Sequence, residues 1–413
     1  MTFRLALSGL NAAQADLTVT ANNIANTSTA GFKGSRAEFA ELFSVSPQGV
    51  SSNAIGNGVR VSNVAQQFTQ GNIDFTDNSL DLALSGQGFF ILNDGGALAY
   101  TRAGAFQVDN QGYIVNARQQ RLQAYPAAAN GQFNTGALQD IQLVTSESAP
   151  SATTNVDVTL NLPGNATPPT VGVFDPANAN SYTNATSLTT YDSLGAAHTA
   201  TMYFTKVPDP PLPAAPIPNR WTTQLYVDGN AVGTAQPLEY NDQGALVVPA
   251  NGEIDFGPYT PATGAAAMDM TFNFSDTTQY GGTFTVNAIT QDGFTTGRLI
   301  GMDIDSTGVV QARFTNGRSL ALGQVALANF SNPQGLQQLG DTNWAETFGS
   351  GQALRGQAGN SGFGLVQSGA LEASNVDITE QLVNMITAQR NFQANAQMIS
   401  TADAITQTII NIR

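Results

Sequence analysis

The chain has 413 residues, 15 basic against 30 acidic for a net charge of -15, and no cysteine. Such a length has room for two or three domains with ample core. The acidic balance argues against a phosphate-tracking nucleic-acid binder, whose affinity rests on lysine and arginine, and the missing cysteines rule out a disulfide framework or a thiolate metal site.

The first residues, MTFRLALSGLNAAQ, have neither a basic n-region nor a sustained apolar run, and no later window approaches the roughly 20 apolar residues of a membrane span. No cleaved export signal and no membrane insertion are expected, so a chain that leaves the cell keeps its N-terminus. Phe3, Leu10, Leu17 and Ile24 recur every seven residues, with Leu7, Ala6 and Ala13 beside them. That spacing predicts a helix with a coiled-coil seam over about three heptads. The helix leaves through ANNIANTSTAGFKGS, residues 21–35, where Asn22, Asn23 and Asn26 crowd the last turns and Gly31, Phe32 and the first lysine, Lys33, follow.

From there the text is β-rich, with turn signals about every ten residues. Residues 88–116 read as strand, Asp94-Gly95-Gly96 turn, two strands, an Asp109–Gly112 turn and a strand; residues 301–330 repeat the idea, with Asn316-Gly317 the favoured pair for a type I′ hairpin. Residues 146–293 differ, being rich in Thr, Asn, Pro and Ala, with short strands such as TATMYFTKV and RWTTQLYVDG and a Pro-rich loop at 208–218 read as polyproline II. Similar hairpin text on both sides marks this zone as a second β domain inserted in the first. The predicted fold class is therefore mainly β with helical termini.

The glycine-rich stretch 349–364 precedes a last helix, opened by Asp377 and Glu380 in a capping box. It carries Ile378, Leu382, Met385, Phe392, Ile399, Ile405, Ile409 and Ile412, with no Gly or Pro to Arg413. Either helix alone would expose an apolar stripe. An ordinary helical hairpin packed on the core, or a seam shared with further copies, would bury it.

The chain offers no catalytic constellation and no cofactor is expected. His198 is the sole histidine, so no metal pair or triad can form around it. No glycine loop ends in Gly-Lys-Ser/Thr, and no twelve-residue calcium loop occurs. Asp303 and Asp305, two apart beside a turn, would be the acids of a surface glycosidase, but nothing nearby forms a saccharide platform.

LSGLNAAQADLTVTANNIANTSTAGFKGSRAEF and, at the far end, SGALEASNVDITEQLVNMITAQRNFQANAQMISTADAITQTIINIR resemble the terminal signatures of the bacterial flagellar rod and hook axial proteins. LALSGQGFFIL, YTRAGAFQVDNQGYIV and LGQVALANFSNPQGLQQLGDTNW resemble that family's shared β domain, and SLTTYDSLGAAHTATMYFTK is similar to the outer domain of its hook subunits. The resemblance implies a coiled-coil inner-tube region (1–30 and 371–413), bridging linkers (31–70 and 349–370), a first β domain (71–145 and 294–348) and the inserted outer domain (146–293). It implies that Phe3, Leu10, Leu17, Ile24, Leu382, Met385, Phe392 and Ile399 form the inter-helix and inter-subunit seam, with Asn26, Gly31, Phe32, Gly359 and Gly362 at the bridge or hinge. Implied too are a homopolymer working as a curved, hollow universal joint outside the cell, with rod, hook cap, hook-filament junction and export proteins as partners. A distal rod subunit or a secreted β adhesin are the alternatives.

Overall fold

The computed structural model describes residues 2–42, 56–128, 131–143, 147–208, 219–360 and 362–411. Two helices stand at the ends, α1 over Thr2–Ala25 and α2 over Ile378–Asn411, and strands fill what lies between. Asp377 caps α2, its Oδ1 accepting from the backbone N–H groups of Thr379 at 2.7 Å and Glu380 at 3.2 Å. Two of the free donors of the first turn are thereby satisfied. The return bond of a capping box, from the Glu380 carboxylate, is not among the described hydrogen bonds. Ile412 and residues 209–218 of the Pro-rich loop lie outside the described residues.

The chain divides into two compact units: residues 1–145, 300–313 and 319–413, and residues 146–299 with 314–318.

In the first unit the stretch after α1 holds a two-stranded antiparallel ribbon. β1 (Ser35–Glu41) pairs with β2 (Val59–Gln66), with a bulge between Glu38 and Phe39. A lone ribbon is marginal in water; this one lies along α1, where the Val59 N–H donates to the Ser8 hydroxyl at 3.3 Å. The main sheet grows from the hairpin of Phe89–Asp94 with Ala97–Thr101, whose turn takes Gly95 and Gly96 at positive φ. Arg121–Pro126 pairs with the first of these strands and with Ser319–Asn329. The core beneath is aromatic: Phe89, Tyr100, Phe330 and Trp344 meet edge to face with centroids 4.8 to 5.8 Å apart, the geometry their ring quadrupoles favour. On the way back to α2, Leu365–Ser368 pairs with Leu82–Ser85 and Ala370–Glu372 with Ile73–Phe75. The returning segment is thus stitched to the departing one.

Val309–Phe314 and Ser319–Asn329 form the expected hairpin, but not with a type I′ turn. Gly317 is at φ +79° while Asn316 is not left-handed, and the Gly317 N–H donates to Phe314 O. This is a longer turn with one left-handed glycine. The Asn316 amide is otherwise engaged, donating to Thr295 O at 2.8 Å.

The second unit is built from two sheets. One is an antiparallel meander of Asn184–Tyr191, Ala197–Lys206, Arg220–Val227, Asn230–Tyr240 and Leu246–Val248. The other centres on Asn155–Pro163, parallel to Thr271–Asn273 and Thr278–Tyr280 and antiparallel to Thr285–Gln291. Burial alternates strictly along Ala197–Lys206 and Arg220–Val227, as one core-facing side of a sheet requires. Ala200, Met202, Phe204, Trp221 and Leu225 enter one core with Val156, Val158, Leu160, Phe272 and Phe274. The Trp221 indole N–H donates to Gln279 Oε1 at 3.0 Å, so its polar edge is satisfied inside.

Candidate assembly surface

The helix pair is antiparallel. The Asn23 amide donates to Gln381 Oε1 at 3.2 Å. Fourteen residues back along α1, Gly9 faces Asn395, fourteen on along α2, so tightly that a Cβ there would lie 2.4 Å from the Asn395 amide oxygen. Small residues make that approach possible: Ala6 and Ala13 of α1 are buried, as are Thr20 and, on α2, Ala388. Three- and four-residue steps carry the facing line of α2 through Gln381, Met385, Ala388, Phe392, Asn395, Ile399 and Ala402, all buried or half-buried.

On α1 the heptad residues read from the sequence lie to one side of the contact line. Leu10, Leu17 and Ile24 are half-buried at the edge of the α1 contact, whose buried line is Ala6, Ala13 and Thr20, and Phe3 is exposed. On α2, Met385, Phe392 and Ile399 face α1, whereas Leu382 is exposed. A seven-residue period fixes a repeat; which side is buried depends on how closely two backbones approach. Phe3, Leu7, Ile378, Leu382, Val383, Ile386, Met398, Ile405 and Ile410 all remain exposed.

The exit from α1 is tightly bonded. Asn26 folds its amide back onto Asn22 O at 2.9 Å, and Thr27 Oγ1 donates to Ile24 O at 3.0 Å, covering carbonyls that the ending helix leaves free. Gly31, at φ +69°, gives its N–H to Glu372 O at 2.7 Å, and a Cβ there would stand 2.4 Å from Ala103 N. Only glycine fits. Two residues on, Lys33 is 1% exposed, and its ammonium donates to Glu372 Oε1 at 2.6 Å and Thr69 O at 2.7 Å. Arg102 reaches the other oxygen of Glu372 at 3.1 Å and Gly86 O at 2.8 Å, and the Gly71 N–H adds a bond to Glu372 Oε1 at 2.9 Å. Burial pulls the Lys33 and Arg102 affinities for protons down, and Glu372 opposes it in both. Asn375 completes the junction, accepting from Gly34 N and donating to Gln67 O.

Asn26, Gly31 and Phe32 thus sit in a locked join. Gly359 and Gly362, both at positive φ, belong to a turn in which the Phe363 N–H donates to Asn360 O. Sequence reading missed Glu372 and Arg102. The one available signal was Lys33 itself, one of two lysines in the chain.

Elsewhere the polar groups close structure. His198 Nδ1 lies 2.6 Å from Asp228 Oδ2 and Nε2 3.2 Å from Asp192 Oδ2. Burial pushes Asp192 up, but bonds from Thr263, His198 and the Ala196 and Leu194 N–H groups outweigh it and hold this carboxyl at about 2. Asp305 spends its Oδ1 on the N–H groups of Thr307 and Val309, and Asp303 is exposed. No group of three or more metal-binding side chains occurs among the described residues, and no described helix is long and apolar enough to cross a membrane. A cleft of about 450 Å³ opens beside the start of α2, lined by Asp16, Arg36, Asn375 and Glu380 among others. Its lining is polar, and burial there pushes Asp16 up.

Family descriptions match along the chain: flagella basal body rod protein at residues 3–33, flagellar hook protein FlgE/F/G D1 domain at 83–173, flagellar basal body protein FlaE D2 domain at 155–294, and flagellar basal body rod FlgEFG protein C-terminal at 367–412. The flagellar hook protein FlgE of Escherichia coli strain K12 is 40% identical, with all of both chains covered. That of Borreliella burgdorferi is 33% identical over 98% of each. In fold, the chain is similar to the crystal structure of Helicobacter pylori flagellar hook protein FlgE2, with a TM-score of 0.54 and 14% identity over 73% of this chain and all of that one.

Proposed function

Because the chain belongs to the flagellar hook protein family, it is a structural subunit of the bacterial flagellar hook, and we propose that it works as a mechanical coupling: copies polymerise into a short, curved, hollow tube that passes motor torque to the filament. The carrying observation is the apolar surface left open on the helix pair. Among the described residues, nine large apolar side chains stand exposed on α1 and α2, a cost that self-association relieves at about 2 kcal/mol for each one fully covered. The polar residues between them, neutral but for Arg390 over 387–397, suit a channel lining that neither grips nor repels an unfolded passenger chain.

In this reading small shifts between the β units of neighbouring copies permit bending while the helices keep the tube continuous. The locked join from Asn26 to Lys33 is the fixed end of the bridge, and the Gly359 and Gly362 turn lies on its return. Rod, hook cap, hook-filament junction and export proteins are the further partners, and the assembled tube lies outside the cell. Immunogold electron microscopy of isolated basal bodies, with antibody against residues 146–293, tests this. Label on the curved segment between rod and filament is expected; label confined to the straight rod would overturn it in favour of a rod subunit.

A further inference from the structure

The exposed apolar side chains of the helix pair are not spread along it. On α2, Ile378, Leu382 and Ile386 are spaced by four and Val383 lies beside them, all within the first nine residues of the helix. Over 387–397 the exposed positions are Thr387, Gln389, Arg390, Asn391, Gln393, Ala394 and Gln397. Exposed apolar bulk then returns at Met398, Ile405 and Ile410. On α1 the exposed Phe3 and Leu7 lie at the same end as Ile405, because the register that sets Asn23 against Gln381 and Gly9 against Asn395 puts Thr2 level with Ala402. From Asp403 to Asn411 α2 continues beyond that level, a run of about 13 Å, and Ile405 and Ile410 on it are 56% and 67% exposed.

The pair is thus apolar at both ends and polar at the waist. A helix that packs sideways on a neighbour along its length carries a continuous stripe, and this one does not. Leu382 and Ile405 are also about 35 Å apart along one helix, so the two patches cannot cover each other within one chain. We propose that copies join end to end through these patches: the projecting last turns of α2 in one copy, with Phe3 and Leu7 beside them, pack on Ile378, Leu382, Val383 and Ile386 of the next. Two different patches meeting in one direction make a heterologous contact, which propagates into a filament. The polar waist is left to face the channel or the neighbouring strands of the tube. The inference rests on the hook reading above and adds which surfaces meet.

A chain without cysteine makes the test free of background. Polymers are assembled from the purified full-length variant Leu382→Cys/Ile405→Cys, inspected by electron microscopy, oxidised, and run on a denaturing gel without reductant. A ladder of dimers, trimers and longer species is expected, with Ile405→Cys alone and Leu382→Cys alone giving monomer. Intact polymers that yield no ladder would overturn the proposal, and so would efficient dimers from Ile405→Cys alone, which place like ends together. If the unsubstituted chain forms no polymer at all, the hook reading itself fails and this contact with it.

Discussion

Replacing Glu372 with Gln should damage the first unit more than replacing Lys33 with Met, although both break the same 2.6 Å ion pair. Glu372 is fully buried between Lys33 and Arg102, both of them buried, so the cluster holds two cations and one anion. Lys33→Met leaves a one-to-one pair with Arg102, frees one carboxylate lone pair and leaves Thr69 O only its 3.2 Å bond from the Asn375 amide, a loss of about 1.5–3 kcal/mol. Glu372→Gln leaves two buried cations with no counter-charge. Its amide nitrogen would also have to face donors, either the Arg102 guanidinium or the Lys33 ammonium and Gly71 N–H. Breaking a buried pair in that way costs about 3–5 kcal/mol. The assay is urea unfolding of the monomer in a Trp221→Phe background, so that Trp344 of the first unit is the sole indole reporter. With a slope of about 2–3 kcal/mol per molar urea, Glu372→Gln should lower the midpoint by about 1.5 M and Lys33→Met by roughly half as much. Equal midpoints, or a larger loss in Lys33→Met, would refute the charge argument.

The second unit should depend on pH through His198. Burial pulls this imidazole down, but its bonds to Asp228 and Asp192 outweigh that and raise it above 6.5, so its contribution is fully present below pH 6.5 and is lost as pH climbs through the raised value. Unfolding midpoints followed at Trp221 in a Trp344→Phe background should fall as pH rises above 6.5 through that raised value, and His198→Asn should remove that slope. On the acid side the contribution of Asp192 is present above its ordinary 3.8 and lost as pH falls through about 2. Gly31→Ala forces an alanine into a left-handed conformation at about 1–3 kcal/mol, with the close Ala103 backbone adding to it, and chemical denaturation of the first unit should register the sum; an unchanged midpoint would mean that the join relaxes freely. Leu17→Asp, at the edge of the helix contact, should leave the circular dichroism of both β units intact while abolishing polymers in the electron microscope; normal tubes would remove Leu17 from the seam.

Much of this architecture is written locally. The alternation in residues 197–206 and 220–227 marks strands with one buried side, and the Asp377 cap places the start of α2 to the residue. What sequence could not show is the side of α1 that closes on α2. Leu10, Leu17 and Ile24 are the bulky heptad residues, yet bulk keeps backbones apart; the approach at Gly9 runs along Ala6, Ala13 and Thr20, whose smallness looks like no signal at all. The ion cluster was hidden for another reason. Lys33, Arg102 and Glu372 sit in segments with no common period or spacing, and only the pairing of Ala370–Glu372 with Ile73–Phe75 carries the glutamate to the lysine. The type I′ turn at Asn316 failed because a tertiary bond to Thr295 claims the side chain, and local turn preference gave way.

Within the first unit, the place where the chain enters the strands from α1 is also the place where it leaves them for α2. Gly31 bonds to Glu372 across that doorway, and Gly34 to Asn375. A pull on the helix pair therefore loads two neighbouring segments in the same direction at the same instant, and the Glu372 carboxylate with its two cations is a rivet through both. Tension applied there moves the two segments as one, and has to part Glu372 from Arg102 and Gly71 and Lys33 from Thr69 at the same time.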